Sequence, residues 1–595
     1  MDLVLLHAPS VYDFRRKVIL QGPLADVVPS TGEFEMYPIG LTSIASYLER
    51  NHYNVRIVNL AYRMLRSRTF DVERHLRRLH APIFGIDLHW LPHTQGALAI
   101  AELVKQIHPD SAVLMGGLSA SYYHEELVRH PAVDYVLRGD STEEPCRQLL
   151  SALRTGGPLE AVENLTWKRA DGAVVVNPLS FVPEDLDWID SPDYRYALRS
   201  VFKYRSLLDV VPYLEWLRNP TTMILNSRGC IFDCATCGGS RSAYRELCNR
   251  RVPAFRSPEK LVQDLRVIQS FSRAPVFMVH DPRIGGLTRA RRFFELLSAS
   301  GVRNELVIEA FSPAGDEFFE LVQRSTGAWS MQLTIETPDE GLRRINGKFP
   351  CSNEAIEATI ASALLHGCRK LDLFFMVGIP HQTAENALAT VDYCEHLVRR
   401  FRADPRLQFF VAPLGPFLDP GSRAFEDPEL GYHPRYRTLE EHRAALLEPS
   451  WQEILSYDTD DMSRESIVAT SYAVAGGLNE LKRRHGLIDG ATYDLVATHL
   501  RVAQHVLSEI EASRSLAPDR RRAVLERLRE DVAVANTESL CGNDELRWTP
   551  SVGLRVSWTL LRGLSRALRL ELVRSVARLR GRYDTEVPVG WPTVR

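Results

Sequence analysis

GCIFDCATCGGS, residues 229–240, sets Cys230, Cys234 and Cys237 in a C-x3-C-x2-C run. Three thiolates at this spacing can hold an iron–sulfur cubane and leave one iron without a protein ligand. An open iron binds and reduces a substrate or cosubstrate, so the run points to chemistry rather than to a structural staple. The alternative is a zinc knuckle, which needs a fourth Cys or His to close a tetrahedron. Cys248, eleven residues past Cys237, and more distant histidines are the available closers. Gly238 and Gly239, directly after the third cysteine, favour the cluster-binding loop.

The chain around this loop is too long for one core. At 595 residues it calls for three to four domains. Its apolar share of 45% and charged share of 25% are those of a soluble globular protein, and a net charge of −3 gives no reason to expect a nucleic-acid partner. The opening MDLVLLHAPSVYDF has no basic n-region and reads as a first strand. No apolar run is long enough to span a bilayer. Nine unevenly spaced cysteines and an oxygen-labile cluster fit a reducing cytoplasm.

Upstream, LVLLHAP (3–9), VRIVNL (55–60), IFGIDL (83–88), AVLMGG (112–117) and YVLRGD (135–140) alternate with helical patterns. Residues 1–150 thus read as an open, parallel α/β domain of Rossmann or flavodoxin type. Ligands on such sheets sit outside the carboxyl ends of the strands, where the strand order reverses. Ser10, Asp87, Gly116-Gly117 and Gly139-Asp140 occupy those ends. The long loop from Ser10 to Tyr37 is placed to cover that edge or to meet the next domain.

Residues 151–215 read as a connector: a hairpin turning at Asp171-Gly172, then an extended, proline-bearing linker. From 216 to 425 the alternation resumes with TMILNSRG, PVFMVHD, ELVIEAF, WSMQLTIET, KLDLFFMVGIP and LQFFVAPL. Six strands with intervening helices imply a partial (β/α)6 barrel, whose site lies at the carboxyl ends of its strands. The cysteine loop follows the first of them. Residues 426–595 read as mostly α-helical, with a capping box at Thr438–Glu441. Near the end, residues 555–582 form a basic amphipathic stretch with eight Arg and one Glu. Packing on a domain is the favoured reading of that stretch, and contact with an anionic membrane surface the alternative.

The barrel resembles the radical S-adenosylmethionine (SAM) superfamily, and the preceding sheet resembles the cobalamin-binding domains fused to many of its members. The match runs through YPIGLTSIASYLE, FGIDLHWLPHTQGAL, VLMGGLSASYYHEEL, VDYVLRGDSTEEP, IETPDEGLRRINGKFP and FFMVGIPHQTAENAL, over roughly residues 1–425. The resemblance implies a [4Fe–4S] cluster on Cys230, Cys234 and Cys237, with the free iron chelated by SAM. An electron from a one-electron reductase, flavodoxin or ferredoxin would cleave SAM to a 5′-deoxyadenosyl radical. It further implies contacts to the SAM amino group from Asp281, Gly285 and Gly286, to its ribose from Glu336, and to its adenine from Gly378. Ser10, Asp87, Gly116, Gly117 and Gly139 would line the cobalamin.

Two positions depart from the family pattern. Thr236 stands where an aromatic residue usually packs on SAM. Asp87-Leu88-His89 has Pro92 where a cobalt-ligating Asp-x-His-x-x-Gly loop would have Gly, and it follows the third strand rather than the first. Asp87 corresponds better to the Ser of the family's Ser-x-Leu segment. His89 and His93 are therefore expected to be loop or interface residues, and cobalamin to lack a His lower ligand from this motif. The implied reaction is methyl transfer to a poorly activated centre. The alternatives are a non-methylating radical cyclisation or rearrangement, and a sensor without catalysis.

Overall fold

The computed structural model describes residues 1–22, 39–190, 194–209, 211–214, 220–347, 349–413, 418–537 and 540–548, with Trp216 and Ser565 as isolated positions. The five upstream strands form: β1 (Leu3–His7), β2 (Val55–Asn59), β3 (Ile83–Asp87), β4 (Ala112–Gly116) and β5 (Tyr135–Leu137). They pair in parallel in the order β2-β1-β3-β4-β5. Strand β1 is buried along its whole length, as expected for a parallel strand with helices on both faces. From β1 the chain goes first to β2 on one side and later to β3 on the other. His7 and Asp87, the last residues of β1 and β3, therefore flank the reversal of strand order where such sheets bind ligands.

The hairpin belongs to this sheet. Strands β6 (Leu165–Lys168) and β7 (Val174–Val176) pair antiparallel and extend it beyond β5. Gly172 turns the hairpin at φ +86°. The expected extended linker also differs, because a helix spans Tyr194–Tyr204 just beyond Pro192. Of the long first loop, residues 23–38 lie outside the described residues.

The second sheet begins with β8 (Thr222–Leu225), followed by a short antiparallel ribbon of β9 (Ser227–Arg228) and β10 (Ala254–Phe255). Then come β11 (Val276–Val279), β12 (Leu306–Ala310), β13 (Trp329–Glu336), β14 (Leu371–Val377) and β15 (Leu407–Pro413). Strands β8 and β11 to β15 pair in sequence order, all parallel, with a helix between successive strands from β8 on. Unbroken order distinguishes this barrel-type sheet from the switched order of the first.

The C-terminal region is helical but carries one more ribbon, β16 (Tyr432–Pro434) with β17 (Tyr457–Thr459). Thr438 and Glu441 form the expected capping box. The helix Arg464–Arg484 packs on the helix Ala384–Arg400 and on β15. Arg443 reaches across to Glu102 of the first domain at 2.8 Å. One apolar core accordingly runs through both sheets and the C-terminal helices. The basic stretch after residue 550 lies outside the described residues apart from Ser565. Among the described residues no helix is long and apolar enough to cross a membrane.

Candidate active site at two facing strand edges

The cysteine loop leaves the second sheet through Gly229, at φ +91°. A side chain there would meet Arg250 Cδ at 2.8 Å. Backbone hydrogen bonds fix its course: Ala235 N donates to Asn346 O at 2.8 Å, Ala424 N to Ala235 O at 2.8 Å, and Gly238 N to Asp419 Oδ2 at 2.9 Å. Two amides point at sulfur, Phe232 N to Cys230 Sγ at 3.4 Å and Gly239 N to Cys237 Sγ at 3.3 Å. Desolvation raises both the Cys230 and the Cys237 thiol, and these amide donors oppose it by favouring the thiolate, the form that binds metal.

None of the nine cysteines is in a disulfide, so no disulfide ties up the three on this loop. Cys248 is buried at the end of the helix Arg241–Cys248, away from the loop. Among the described residues no three His, Cys, Asp or Glu side chains converge closely enough for a single metal ion. Three loop thiols in a C-x3-C-x2-C run fit an iron–sulfur cluster.

The loop is also where the first domain docks. Arg228, immediately before Gly229, is buried and donates to Glu143 at 2.6 and 3.1 Å and to Ser141 Oγ at 3.0 Å. Glu143 takes a further bond from Ser43 Oγ at 2.6 Å. Burial alone would raise the Glu143 carboxyl, but Arg228 outweighs it and holds it below its usual range. Arg250 pairs with Asp140 in the same way. Asp140, Ser141 and Glu143 follow β5, so the carboxyl edge of the first sheet meets the barrel at the cysteine loop.

Across the barrel mouth the strand ends carry polar residues in unusual backbone states. Glu336 ends β13 at φ +71° beside a register shift in the β13–β14 pairing, is 4% exposed, and accepts from Asn346 Nδ2 at 2.9 Å. The left-handed region is strained for a non-glycine residue, and such strain collects at functional sites. His280, beyond β11, has φ +71°. Its amide donates to Glu309 Oε2 at 2.9 Å, and Nδ1 lies 2.9 Å from Ser227 Oγ. Glu309, in turn, is a charge neighbour of Cys230.

The remaining expected SAM contacts are placed unevenly. The Asp281 carboxylate is engaged by Arg283 at 2.6 and 2.9 Å and by Phe311 N at 3.1 Å, and its carbonyl accepts from Asn226 Nδ2 at 3.1 Å. That set braces the loop and leaves the carboxylate well satisfied. Gly285 packs against Phe255 and Arg289, whereas Gly286, at φ +93°, has open space where a side chain would go. Gly378, at φ +89°, sits under the C-terminal ribbon, and a Cβ there would meet Tyr457 Oη at 2.9 Å.

On the first sheet, His7 Nδ1 lies 3.0 Å from Asp87 Oδ1 at the switch of strand order. Burial would raise the Asp87 carboxyl, but His7, His93 and His89 more than offset it and hold it low. His93 is buried, its ring centre 5.2 Å from that of His7, and neither of its nitrogens has a hydrogen-bond partner among the described residues. Burial, then His7, lowers its pKa to about 3, so the ring is neutral. Ser10 Oγ is likewise buried without a partner. Gly117, at φ +123°, leaves no room for a side chain against Leu88 O (2.5 Å), and Gly139 N donates to Ser121 Oγ at 2.9 Å. Buried polar atoms lacking partners at a ligand-binding edge fit a large polar cofactor seated there.

These two edges coincide with two matched families. A model of the B12 binding domain matches residues 26–147, and one of the radical SAM superfamily matches residues 224–394. This chain joins a B12-binding domain to a radical SAM domain. Among curated proteins, an uncharacterized methyltransferase of Pyrococcus horikoshii is 24% identical over 374 residues, 62% of this chain and 75% of that protein. The hopanoid C-3 methylase of Methylococcus capsulatus is 26% identical over 332 residues, 54% of this chain and 58% of that one. Among solved structures, the radical SAM methyltransferase TsrM from Kitasatospora setae, with cobalamin and a [4Fe–4S] cluster bound, superposes with a TM-score of 0.55 at 15% identity. That alignment covers 90% of this chain and all of TsrM, and it shows a shared fold.

The radical SAM match contains the three cysteines, Asp281, Gly285, Gly286, Glu336 and Gly378. The B12-binding match contains Asp87, Gly116, Gly117 and Gly139, with Ser10 outside it. Sequence reading passed over His7, His280, Glu309, Asn346 and the two ribbon tyrosines, Tyr432 and Tyr457. A polar residue closing an apolar strand was the available signal for His7. The ribbon tyrosines carry no local signal, because they reach the site only through tertiary packing.

Proposed function

We propose that this protein is a cobalamin-dependent radical SAM methyltransferase. When bound, the cluster supplies the electron that cleaves SAM to a 5′-deoxyadenosyl radical, and cobalamin supplies the methyl carrier. Cys230, Cys234 and Cys237 hold the cluster, and the amides of Phe232 and Gly239 support their thiolates. Glu336, fixed by Asn346, is the ribose contact. His93, Ser10 and the backbone at Gly116 and Gly117 form the floor for cobalamin.

The observation that carries this reading is the junction of Arg228 and Arg250 with Asp140, Ser141 and Glu143. It sets the carboxyl edge of the B12-binding sheet against the start of the cysteine loop. Methyl carrier and radical source then share one chamber. The methyltransferase names of the two curated relatives agree with it. A one-electron reductase, flavodoxin or ferredoxin is the fitting electron source. Nine cysteines without a disulfide and an oxygen-labile cluster fit the cytoplasm.

Anaerobic reconstitution with iron, sulfide and cobalamin, followed by SAM and reductant, tests the reading. It predicts both S-adenosylhomocysteine and 5′-deoxyadenosine. Deoxyadenosine alone would replace methyl transfer with a non-methylating radical reaction. Neither product, with both cofactors bound, would replace catalysis with sensing.

A further inference from the structure

The C-terminal ribbon lies outside both matched families, yet it packs onto the strand ends of the barrel. Tyr432, opening β16, and Tyr457, opening β17, are both fully buried, with ring centres 5.7 Å apart at 68°. Tyr457 Oη stands over Gly378, where a Cβ would approach it to 2.9 Å. Tyr432 is a charge neighbour of Glu336. Among the described residues nothing hydrogen-bonds the Tyr432 hydroxyl, and Asn346 Oδ1, on the amide that holds Glu336, also lacks a partner. Buried polar groups are seldom left unpaired, so the two atoms are suited to a polar ligand.

We propose that the β16–β17 ribbon completes the pocket for the nucleoside half of SAM, with the Tyr432 hydroxyl hydrogen-bonding a ribose hydroxyl beside Glu336. This rests on the SAM-cleaving reading above. In it, the C-terminal region is part of the cofactor site, and Tyr432 is a positioning residue for SAM cleavage.

The test titrates reconstituted full-length protein with SAM and with analogues lacking the 2′- or the 3′-hydroxyl, reading the change in the electron paramagnetic resonance signal of the reduced cluster. Tyr432→Phe removes one oxygen and should weaken SAM binding about tenfold at unchanged cluster content. For the analogue that lacks the partnered hydroxyl, the same substitution should change binding less than about twofold, because contacting groups are not additive. Tyr432→Met serves if the Phe variant fails to hold its cluster. Equal SAM binding by wild type and variant, or full additivity with both analogues, would overturn the proposal. A wild-type signal that does not respond to SAM at all would instead overturn the SAM-cleaving reading.

Discussion

The two strand edges that meet in this chain are built from different materials. The edge of the first sheet offers glycine backbone, a buried neutral His93 and a buried Ser10 hydroxyl, a floor suited to a cofactor that arrives with its chemistry complete. The edge of the barrel offers thiols, a strained Glu336 and a ring of braced acids, a set suited to creating reactivity. Seating a cofactor needs shape and unpaired polar atoms, whereas reductive cleavage needs specific ligands at fixed spacing. The seam between the edges is charged and buried, which is an expensive way to join two domains. It fixes the orientation of the two edges towards each other.

Breaking that seam should have the largest effect on stability. Arg228→Ala or Glu143→Ala leaves an unpaired buried charge and should cost about 3–5 kcal/mol in denaturant unfolding. Arg228→Met with Glu143→Leu should recover most of it. Equal losses in single and double variants would show that the seam does not act as a pair.

On the barrel side, Gly378→Ala adds a methyl 2.9 Å from Tyr457 Oη in a left-handed backbone. It should destabilise by about 2 kcal/mol and raise the SAM concentration needed for cleavage. An unchanged melting curve would mean that the ribbon does not press on this turn.

The first-sheet edge should respond to pH through His93. His93 is neutral in the folded state, with a pKa of about 3, and charged in the unfolded state below about pH 6.5. Its contribution is complete above the unfolded value and is lost as pH falls towards the folded one. Each pH unit in that window removes about 1.4 kcal/mol for one such group. His93→Gln should flatten the slope of stability between pH 6.5 and 5 by about one proton. An unaltered slope would place the titration elsewhere.

The smallest effect isolates backbone strain. Glu336→Gly and Glu336→Ala both remove the carboxylate, but only glycine relieves φ +71°. The Gly variant should be the more stable by about 1 kcal/mol, and both should bind SAM poorly. A more stable Ala variant would contradict strain at this position.

How much of this could be read in advance follows the same division. Metal ligation demands particular residues at particular spacing, so the cysteine loop was legible in the chain. Both sheets were legible too, because buried parallel strands must be short apolar runs between helices. Asp281 shows the limit of local pattern, because an acid at a strand end serves a loop as readily as a ligand, and here Arg283 and Phe311 bond its carboxylate. The hairpin joined the first sheet because β5 had a free edge to pair, which local pattern does not reveal. Arg228 and Glu143 stand 85 positions apart, and Glu336 lies further still from Tyr432, so no short window of sequence contains either pair.

The most direct test replaces Cys230, Cys234 and Cys237 together with Ser and follows both cofactors in one anaerobic preparation. The prediction is loss of the iron–sulfur absorbance and of 5′-deoxyadenosine formation, with the corrinoid bands retained at wild-type intensity. Continued SAM cleavage without the three thiolates would contradict the assignment of the cysteine loop as its electron source.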